Sequence, residues 1–285
     1  MALPDFLIIG AMKCGTSTLQ AQLAAQPGIL MSTPKEPNFF SDDSIYAQGM
    51  KWYESLFDQA APGDLLGEAS THYTKLPTYP STLARLQQAL AKPKLIYLIR
   101  DPVSRALSHY IHEWTMGNMS SDIETSFEKH SELVDYGRYA YQIEPYLEAF
   151  GRDAIFLSTL EEMKRAPQDF LDRVGSFLGF GNLLVWQEEQ ALVNASAERI
   201  RRFPLHGLVF DNPVATALRR NLVPQSVRDR IRRGRQMSKR PELPETRIRT
   251  LERIYADDFW KLSAMFPDHP DIRSAYPFLS HDKQS

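Results

Sequence analysis

The sequence predicts an α/β fold of three layers, in which helices cover both faces of a central parallel sheet. Two apolar runs of strand length, residues 3–10 and 94–99, are each followed by a turn and a helical pattern. A third run, residues 154–158, precedes another helical pattern in the same way. Strands that alternate with helices build parallel sheets, so we expect a functional site in the loops at the carboxyl ends of these strands.

A helix follows each predicted strand, and a long helix closes the chain. Apolar spacing predicts helices over residues 17–25, 103–114, 166–178 and 245–265. We interpret residues 41–63 and 118–134 as surface helices and loops. Residues 204–244 contain five prolines and an arginine cluster, which indicates a lid or flap segment. The whole chain, residues 1–285, is expected to form a single domain.

The composition is that of an ordinary globular protein. The chain has 285 residues, of which 43% are hydrophobic and 24% are charged. No run of about 18 apolar residues offers a membrane span, and the start lacks a signal-peptide pattern. We therefore expect a cytoplasmic protein without stable membrane insertion. The one cysteine, Cys14, excludes an intramolecular disulfide and a cysteine metal cluster, and we expect no bound metal.

The charge is unevenly spread, although the net charge is only −2. Residues 199–253 contain 15 Lys or Arg residues and 5 Asp or Glu residues. Such an excess can steer an anionic ligand or a polyanionic partner, and solvated helix faces explain it equally well. We expect no nucleic acid partner. The sequence leaves the oligomeric state open.

The first strand leads into the loop GAMKCGTST, residues 10–18, which opens a helix. Successive backbone N–H groups and a helix N-terminus form an anion site there, and phosphate is the natural guest. Lys13 adds a mobile charge, and three hydroxyl groups follow Gly15, on Thr16, Ser17 and Thr18. In a nucleotide P-loop the lysine follows the last glycine, whereas Lys13 precedes Gly15 by two residues. This order favours a metal-free phosphate pocket over an ATP–Mg²⁺ site.

The second predicted strand ends in RDPVSRALSHY, residues 100–110. Arg100 at the strand end and Ser108 two helical turns later can face the same pocket. A guanidinium binds phosphate with two parallel hydrogen bonds, so the pair suits a second phosphate. The alternative is that Arg100 is tied to Asp101 or to a helix C-terminus.

Together these segments resemble the sulfotransferases that use 3′-phosphoadenosine 5′-phosphosulfate (PAPS), especially the heparan sulfate sulfotransferases and their bacterial relatives. The resemblance covers roughly residues 3–180 and implies a P-loop-like fold with PAPS as the co-substrate. It implies that residues 13–18, which include Cys14, bind the 5′-phosphosulfate. It further implies that Arg100 and Ser108 bind the 3′-phosphate.

A third segment, TPKEPNFF at residues 33–40, resembles the KE-x-[HN]-FF stretch of the same branch. The resemblance assigns Glu36 as the catalytic base, and a carboxylate near an attacking hydroxyl can take its proton. Lys35 is a candidate for acceptor contact, or the two residues form an exposed surface pair. Asn38 and Ser41 stand where the heparan 3-O enzymes have histidine and aspartate.

The remaining candidates come from shorter matches to the same branch. GEASTHY, residues 67–73, makes Glu68 and His72 candidates for acceptor contact. His72 is the alternative base because imidazole titrates near neutral pH, and a structural histidine is the other interpretation. Arg138 and Tyr139 are expected to border the donor or acceptor. Arg199 is a candidate for the 3′-phosphate or a plain helix-face arginine.

The function expected from the resemblance is sulfuryl transfer from PAPS to a hydroxyl of a carbohydrate or small metabolite, in a bacterial cytoplasm. The reaction would be an in-line displacement with a carboxylate base. Two alternatives remain: a P-loop nucleotide kinase or phosphotransferase, and a noncatalytic polyanion-binding protein that uses the arginines of residues 228–235.

Overall fold

The computed structural model describes residues 2–181, 183–192 and 240–280. Its centre is a sheet of five parallel strands in the order β2-β3-β1-β4-β5. The strands are β1 (Phe6–Gly10), β2 (Ile29–Met31), β3 (Leu65–Ala69), β4 (Lys94–Ile99) and β5 (Ile155–Thr159).

Helices flank this sheet, and short 3-10 turns follow β3 and precede β5. The α-helices of the described residues are α1 (Thr16–Ala24), α2 (Asp43–Tyr46), α3 (Met50–Ser55), α4 (Thr82–Ala89), α5 (Pro102–Met116), α6 (Ile123–Lys129), α7 (Glu132–Asp135), α8 (Tyr139–Phe150), α9 (Leu160–Arg165), α10 (Pro167–Leu178), α11 (Glu188–Leu192) and α12 (Glu245–Met265). None of these is long and apolar enough to cross a membrane.

The predicted α/β fold with a central parallel sheet is confirmed. The strands at β1, β4 and β5 lie where the apolar runs predict them, because strands buried on both faces read as continuous apolar sequence. Every residue of β1 is buried, and so is every residue of β4 after Lys94. The helices α1, α5, α10 and α12 also match the predicted ranges to within two residues.

Two strands of the sheet, β2 and β3, were not among the predicted elements. β2 has three residues, too few for a recognisable pattern, and β3 contains Gly67 and Glu68, residue types that are rare in strands. A Cβ atom on Gly67 would lie 2.2 Å from the Phe6 ring. Close packing of β3 against β1 therefore requires the glycine that weakens the local strand signal.

The helix ends that border the sheet have clear local causes. Gly15 has φ 88°, a left-handed conformation that starts α1. The Asp101 carboxylate accepts hydrogen bonds from the N–H groups of Val103 and Ser104 and caps α5, which begins with Pro102. The Asp101 carboxylate is thus engaged by α5, which argues against the alternative that Arg100 is tied to Asp101.

The last helix, α12, packs against α8 and α5. The Asp258 carboxylate accepts hydrogen bonds from the N–H groups of Ala140, at 2.9 Å, and Tyr141, at 3.3 Å. Burial raises the pKa of Asp258 to about 6. A side chain from the end of the chain thus caps the helix that precedes β5.

Several predicted features lie outside the described residues. These are Arg199, the arginine cluster at 228–235 and the predicted lid as far as residue 239. The predicted surface stretch 41–63 contains α2 and α3, and the stretch 118–134 contains α6 and most of α7.

Candidate active site

A cavity of about 800 Å³ opens where the chain leaves the carboxyl ends of β1 and β4. It brings together residues from five separate segments of the sequence. The sequence-predicted site residues that line it are Lys13, Gly15, Thr16, Ser17, Thr18, Lys35, Glu36, His72, Arg100 and Ser108.

Backbone conformations that are rare for side-chain-bearing residues cluster at this cavity. Among the described residues, the non-glycine residues with positive φ are Lys13 (69°), Glu36 (53°) and Asn38 (54°). Such conformations cost on the order of 1–3 kcal/mol each and persist where the surrounding structure holds them. Two of these three residues line the cavity, in agreement with a functional role for both loops.

The phosphate loop is shaped by the core beneath it. A Cβ on Gly15 would lie 2.7 Å from Met163 and 2.8 Å from Leu160, so α9 packs directly against the loop. The first two N–H groups of α1, on Thr16 and Ser17, precede the first bond of the helix, which the Thr18 N–H donates to Gly15 O at 3.0 Å. Together with the Lys13 ammonium they form a cationic end to the cavity.

Cys14 was expected to bind the donor as part of the loop 13–18, but it is buried and does not line the cavity. Its thiol is fully buried, with Sγ 3.5 Å from the Tyr139 hydroxyl, and its N–H donates to Ala11 O at 3.1 Å. Burial raises the pKa of this thiol to about 11, so it stays protonated. Cys14 therefore anchors the loop to the core.

Lys35 and Glu36 reach the phosphate loop from the neighbouring segment. The Lys35 Nζ donates a hydrogen bond to Ser17 Oγ and lies 3.9 Å from Glu36 Oε1. Burial lowers the pKa of Lys35, and the nearby Glu36 carboxylate opposes this effect. The structure thus places Lys35 between the phosphate loop and Glu36, which corrects the expectation that Lys35 contacts the acceptor. Lys35 and Glu36 are therefore not an exposed surface pair, because both line the cavity.

The Glu36 side chain is one-third exposed and opens into the cavity. Thr71 Oγ1 donates to its Oε1 at 3.4 Å, and the Glu36 N–H donates to Ala69 O at 3.0 Å. The loop is held a second time, because the Asn38 N–H donates to Ser70 Oγ at 3.1 Å. A carboxylate fixed in this way can accept a proton from a ligand in the cavity.

Glu68 lies in the core, which corrects the expectation that it contacts the acceptor. It is fully buried, and it accepts hydrogen bonds from the Tyr53 hydroxyl and, at 2.5 Å, from Ser70 Oγ. Burial raises the pKa of Glu68. Because Ser70 also accepts from Asn38, Glu68 supports the loop that carries Glu36.

Arg100 enters the cavity from the end of β4. Its Nη1 donates to Lys13 O at 3.3 Å, and its Nε is buried without a hydrogen-bond partner among the described residues. A buried guanidinium N–H without a partner is costly, so this atom fits an anionic ligand that would complete it. Ser108, on α5, lines the same cavity.

Tyr139 contacts Arg100 from behind and does not line the cavity. Its hydroxyl donates to Arg100 O at 2.9 Å and accepts from the Arg100 N–H at 3.4 Å, and the side chain is fully buried. The expectation of a direct ligand contact is corrected to a positioning contact. Arg138 is also displaced: it lies 3.8 Å from Asp135 and lines a separate cavity of about 390 Å³ with Asp258.

His72 lines the cavity on the 3-10 turn Thr71–Thr74. Its ring stacks on Tyr79 with centroids 4.6 Å apart, and its Nδ1 is buried without a partner among the described residues. Desolvation lowers the pKa of His72 to about 4, so the ring is neutral near pH 7 and is a weak base.

Sequence reasoning missed three charged residues that line the cavity: Lys75, Glu113 and Lys164. Burial lowers the pKa of Lys75 to about 8. The neighbouring His109 ring and a hydrogen bond from Asn118 lower the pKa of Glu113 to about 2. A local signal existed only for Glu113, because it lies on α5, the helix that also carries Ser108. Within the described ranges, no three His, Cys, Asp or Glu side chains are grouped to hold a metal ion.

Comparison with known proteins agrees with this geometry. A family model described as a sulfotransferase domain matches residues 3–265. The membrane-associated sulfotransferase kil1 of Dictyostelium discoideum is 40% identical over 133 residues, or 45% of this chain and 27% of that protein. Mouse heparan sulfate glucosamine 3-O-sulfotransferase 3B1 is 30% identical over 195 residues, or 64% of this chain and 47% of that protein. The chain thus spans less than half the length of these relatives.

Solved structures extend the similarity to nearly the whole chain. The crystal structure of a sulfotransferase from Alicyclobacillus acidocaldarius superposes with a TM-score of 0.67 at 25% identity, and covers 96% of this chain and 100% of that one. Mouse sulfotransferase SULT7A1, complexed with PAP, shares the fold with a TM-score of 0.50 at 17% identity, over 96% of this chain and 89% of that one. The chain therefore belongs to the sulfotransferase domain family and has its P-loop-like fold.

Proposed function

We propose that this chain transfers a sulfuryl group from PAPS to a hydroxyl of a carbohydrate or small-molecule acceptor. The observation that carries the proposal is the shared cavity. It is lined by the phosphate loop with Lys13, by Arg100 with Ser108, and by the carboxylate of Glu36. Membership of the sulfotransferase domain family supports the same reaction.

The residues present fit a donor with phosphate groups at both ends of its ribose. Lys13, the N-terminus of α1 and Thr16 suit the phosphosulfate, and Arg100 with Ser108 suits the separate 3′-phosphate. The Nε of Arg100, which has no partner among the described residues and belongs to a side chain that lines the cavity, supports the binding of an anion at this place. Lys35 and Lys164 line the same cavity and add positive charge that balances a polyanionic donor.

When bound, PAPS supplies an activated sulfuryl group. The acceptor oxygen forms a bond to sulfur as the bond between sulfur and the phosphate oxygen breaks, and 3′-phosphoadenosine 5′-phosphate (PAP) leaves. The carboxylate of Glu36 takes the proton of the acceptor hydroxyl. Lys13 and the loop N–H groups stabilise the negative charge that grows on the leaving oxygen. Lys35 holds Ser17 and lies beside Glu36, so it couples the two loops.

A thermal-shift comparison tests the donor. A ligand that binds only the native state raises the apparent melting temperature, so PAP should stabilise the protein and ATP–Mg²⁺ should not. Stabilisation by ATP–Mg²⁺ alone would favour the nucleotide kinase alternative. PAP binding without any transfer from labelled PAPS to an acceptor extract would favour the noncatalytic alternative.

We further propose that the chain forms one domain and that the protein works in a bacterial cytoplasm. One continuous apolar cluster includes both Phe6 and Leu279, near the two ends of the described residues, and supports a single domain. Similarity to the Alicyclobacillus protein supports a bacterial origin. Two separate calorimetric transitions would contradict the single domain, and recovery of the protein outside the cytoplasmic fraction of its source cells would contradict the location.

A further inference from the structure

Lys75 carries an ammonium group that the described residues leave without a polar partner. The residue is 7% exposed, and it lines the cavity. In the described part of the chain, its close contact is the Tyr136 ring, 5.6 Å from Nζ to the ring centroid, and no carboxylate lies within ion-pairing distance. Burial of an unpaired ammonium is costly, so the group points to an oxygen atom of a ligand.

Glu113 lines the same cavity from α5. Its side chain is 20% exposed, and it is fixed from behind by His109 Nε2, 3.7 Å from Oε1, and by Asn118 Nδ2, 2.7 Å from Oε2. A pKa of about 2 keeps this carboxylate ionised at all physiological pH values. It is therefore a permanent hydrogen-bond acceptor at the cavity wall.

Four charged groups that line the cavity, Glu36, Glu113, Lys35 and Lys75, form one electrostatic neighbourhood. Glu36 and Glu113 both act on Lys75 and raise its pKa against the effect of burial. His72 adds no charge near pH 7. Lys35 is bonded to Ser17 and also lies 3.9 Å from Glu36, whereas Lys164 is on α9, which packs against Gly15.

Because Lys35 lies 3.9 Å from Glu36 and balances that carboxylate, Lys75 and Glu113 remain as one positive and one negative group at the cavity wall. An anionic group on the acceptor would gain from Lys75, but Glu113 would repel it, and it could donate no hydrogen bond to that carboxylate. An uncharged acceptor avoids this repulsion and can still use both kinds of group, because a hydroxyl both donates and accepts hydrogen bonds.

We propose, building on the function above, that Lys75 and Glu113 form an acceptor-recognition pair that selects an uncharged polyol over an anionic acceptor. The Lys75 ammonium donates to one oxygen of the acceptor. The Glu113 carboxylate accepts from a neighbouring hydroxyl. Both contacts hold the polyol while a further hydroxyl faces Glu36.

Two matched sugars test the proposal by calorimetry on the full chain saturated with PAP. The probes are 4-methylumbelliferyl glucoside, which carries a hydroxymethyl group on its sugar ring, and 4-methylumbelliferyl glucuronide, which carries a carboxylate at the same position. We expect the glucoside to bind roughly tenfold more tightly. Lys75→Met should weaken glucoside binding roughly tenfold or more, the effect of losing a hydrogen bond to a charged group. Glu113→Gln should reduce the ratio of glucoside affinity to glucuronide affinity. Glu113→Lys should reverse the order, so that the glucuronide binds more tightly.

Matched controls are Lys51→Met on α3 and Glu148→Gln on α8, which remove the same charges at exposed positions away from the cavity. Titration of PAP alone into each variant reports on folding and on the donor site. If wild type does not bind PAP, the proposed function itself fails. If it binds PAP but binds neither sugar, or binds the glucuronide as tightly as the glucoside, the recognition pair is wrong and the donor assignment stands. If Lys75→Met does not fold, the two Glu113 variants decide the outcome alone.

Discussion

The hydroxyl of Tyr139 links the core to the donor side of the cavity, and its removal gives a sharp prediction. It donates to Arg100 O at 2.9 Å and accepts from the Arg100 N–H at 3.4 Å. Tyr139→Phe keeps the buried ring, and it leaves the Arg100 carbonyl without this donor. Such a loss costs about 1–3 kcal/mol, so the free energy of unfolding should fall by that amount.

The effect on donor binding follows from the same geometry. Arg100 is aimed into the cavity from the backbone that Tyr139 holds, and its guanidinium is expected to contribute a charged hydrogen bond to the 3′-phosphate. Partial loss of that bond should raise the Kd for PAP roughly two- to tenfold. Chemical denaturation measures the first effect, and calorimetric titration with PAP measures the second.

Tyr110→Phe is the matched control. Its buried hydroxyl also donates to a backbone carbonyl, Ser120 O, at 2.9 Å, but the residue does not line the cavity. Both variants should lose comparable stability, and only Tyr139→Phe should lose PAP affinity. Equal PAP affinity in the two variants would refute the positioning role of Tyr139.

Further variants separate binding from chemistry. Lys13→Ala should lower kcat about 10²- to 10³-fold and raise the Kd for PAPS far less, since its charge acts on the leaving oxygen; an unchanged kcat in a labelled-PAPS assay would contradict this. Arg100→Ala should chiefly raise the Kd for PAPS, roughly 10- to 100-fold, and a purely kinetic effect would count against the 3′-phosphate assignment. Glu36→Gln should lower kcat about 10²- to 10⁴-fold while PAP titrations stay unchanged; full activity would remove Glu36 as the base. Burial raises the pKa of Asp258 from 3.8 to about 6, so ionisation of its carboxyl group opposes folding. The contribution of Asp258 to the free energy of unfolding therefore falls by roughly 3 kcal/mol as the pH rises from below 4 to above 6. Denaturation midpoints of wild type and Asp258→Asn across this range should therefore diverge, and parallel pH profiles would show that Asp258 does not titrate in this way.

The parts of the fold that could be predicted are those with local causes. The apolar runs of β1 and β4 identify buried strands, and Asp101 followed by Pro102 marks the start of α5. β3 could not be predicted in this way, because Gly67 and Glu68 disfavour strands when they are read alone. Its pairing with β1 depends on Phe6, which is distant in sequence.

The same division applies to the site residues. Lys13 and Arg100 follow the carboxyl ends of two strands, and a parallel sheet places all such ends at one edge. Their proximity therefore does not depend on how the helices pack. Glu68 and Tyr139 belong to motif segments, but a motif does not say which face of an element its side chain takes. Both side chains point into the core, where they hold the loops that carry Glu36 and Arg100.

The sequence by itself therefore determined the parallel α/β fold and the phosphate loop, because these depend on the order of residues within strand–loop–helix units. Only the tertiary structure decided which polar residues face the cavity. Lys75 and Glu113 meet there from two segments with no motif in common, and their burial and mutual electrostatics exist only after the chain has folded.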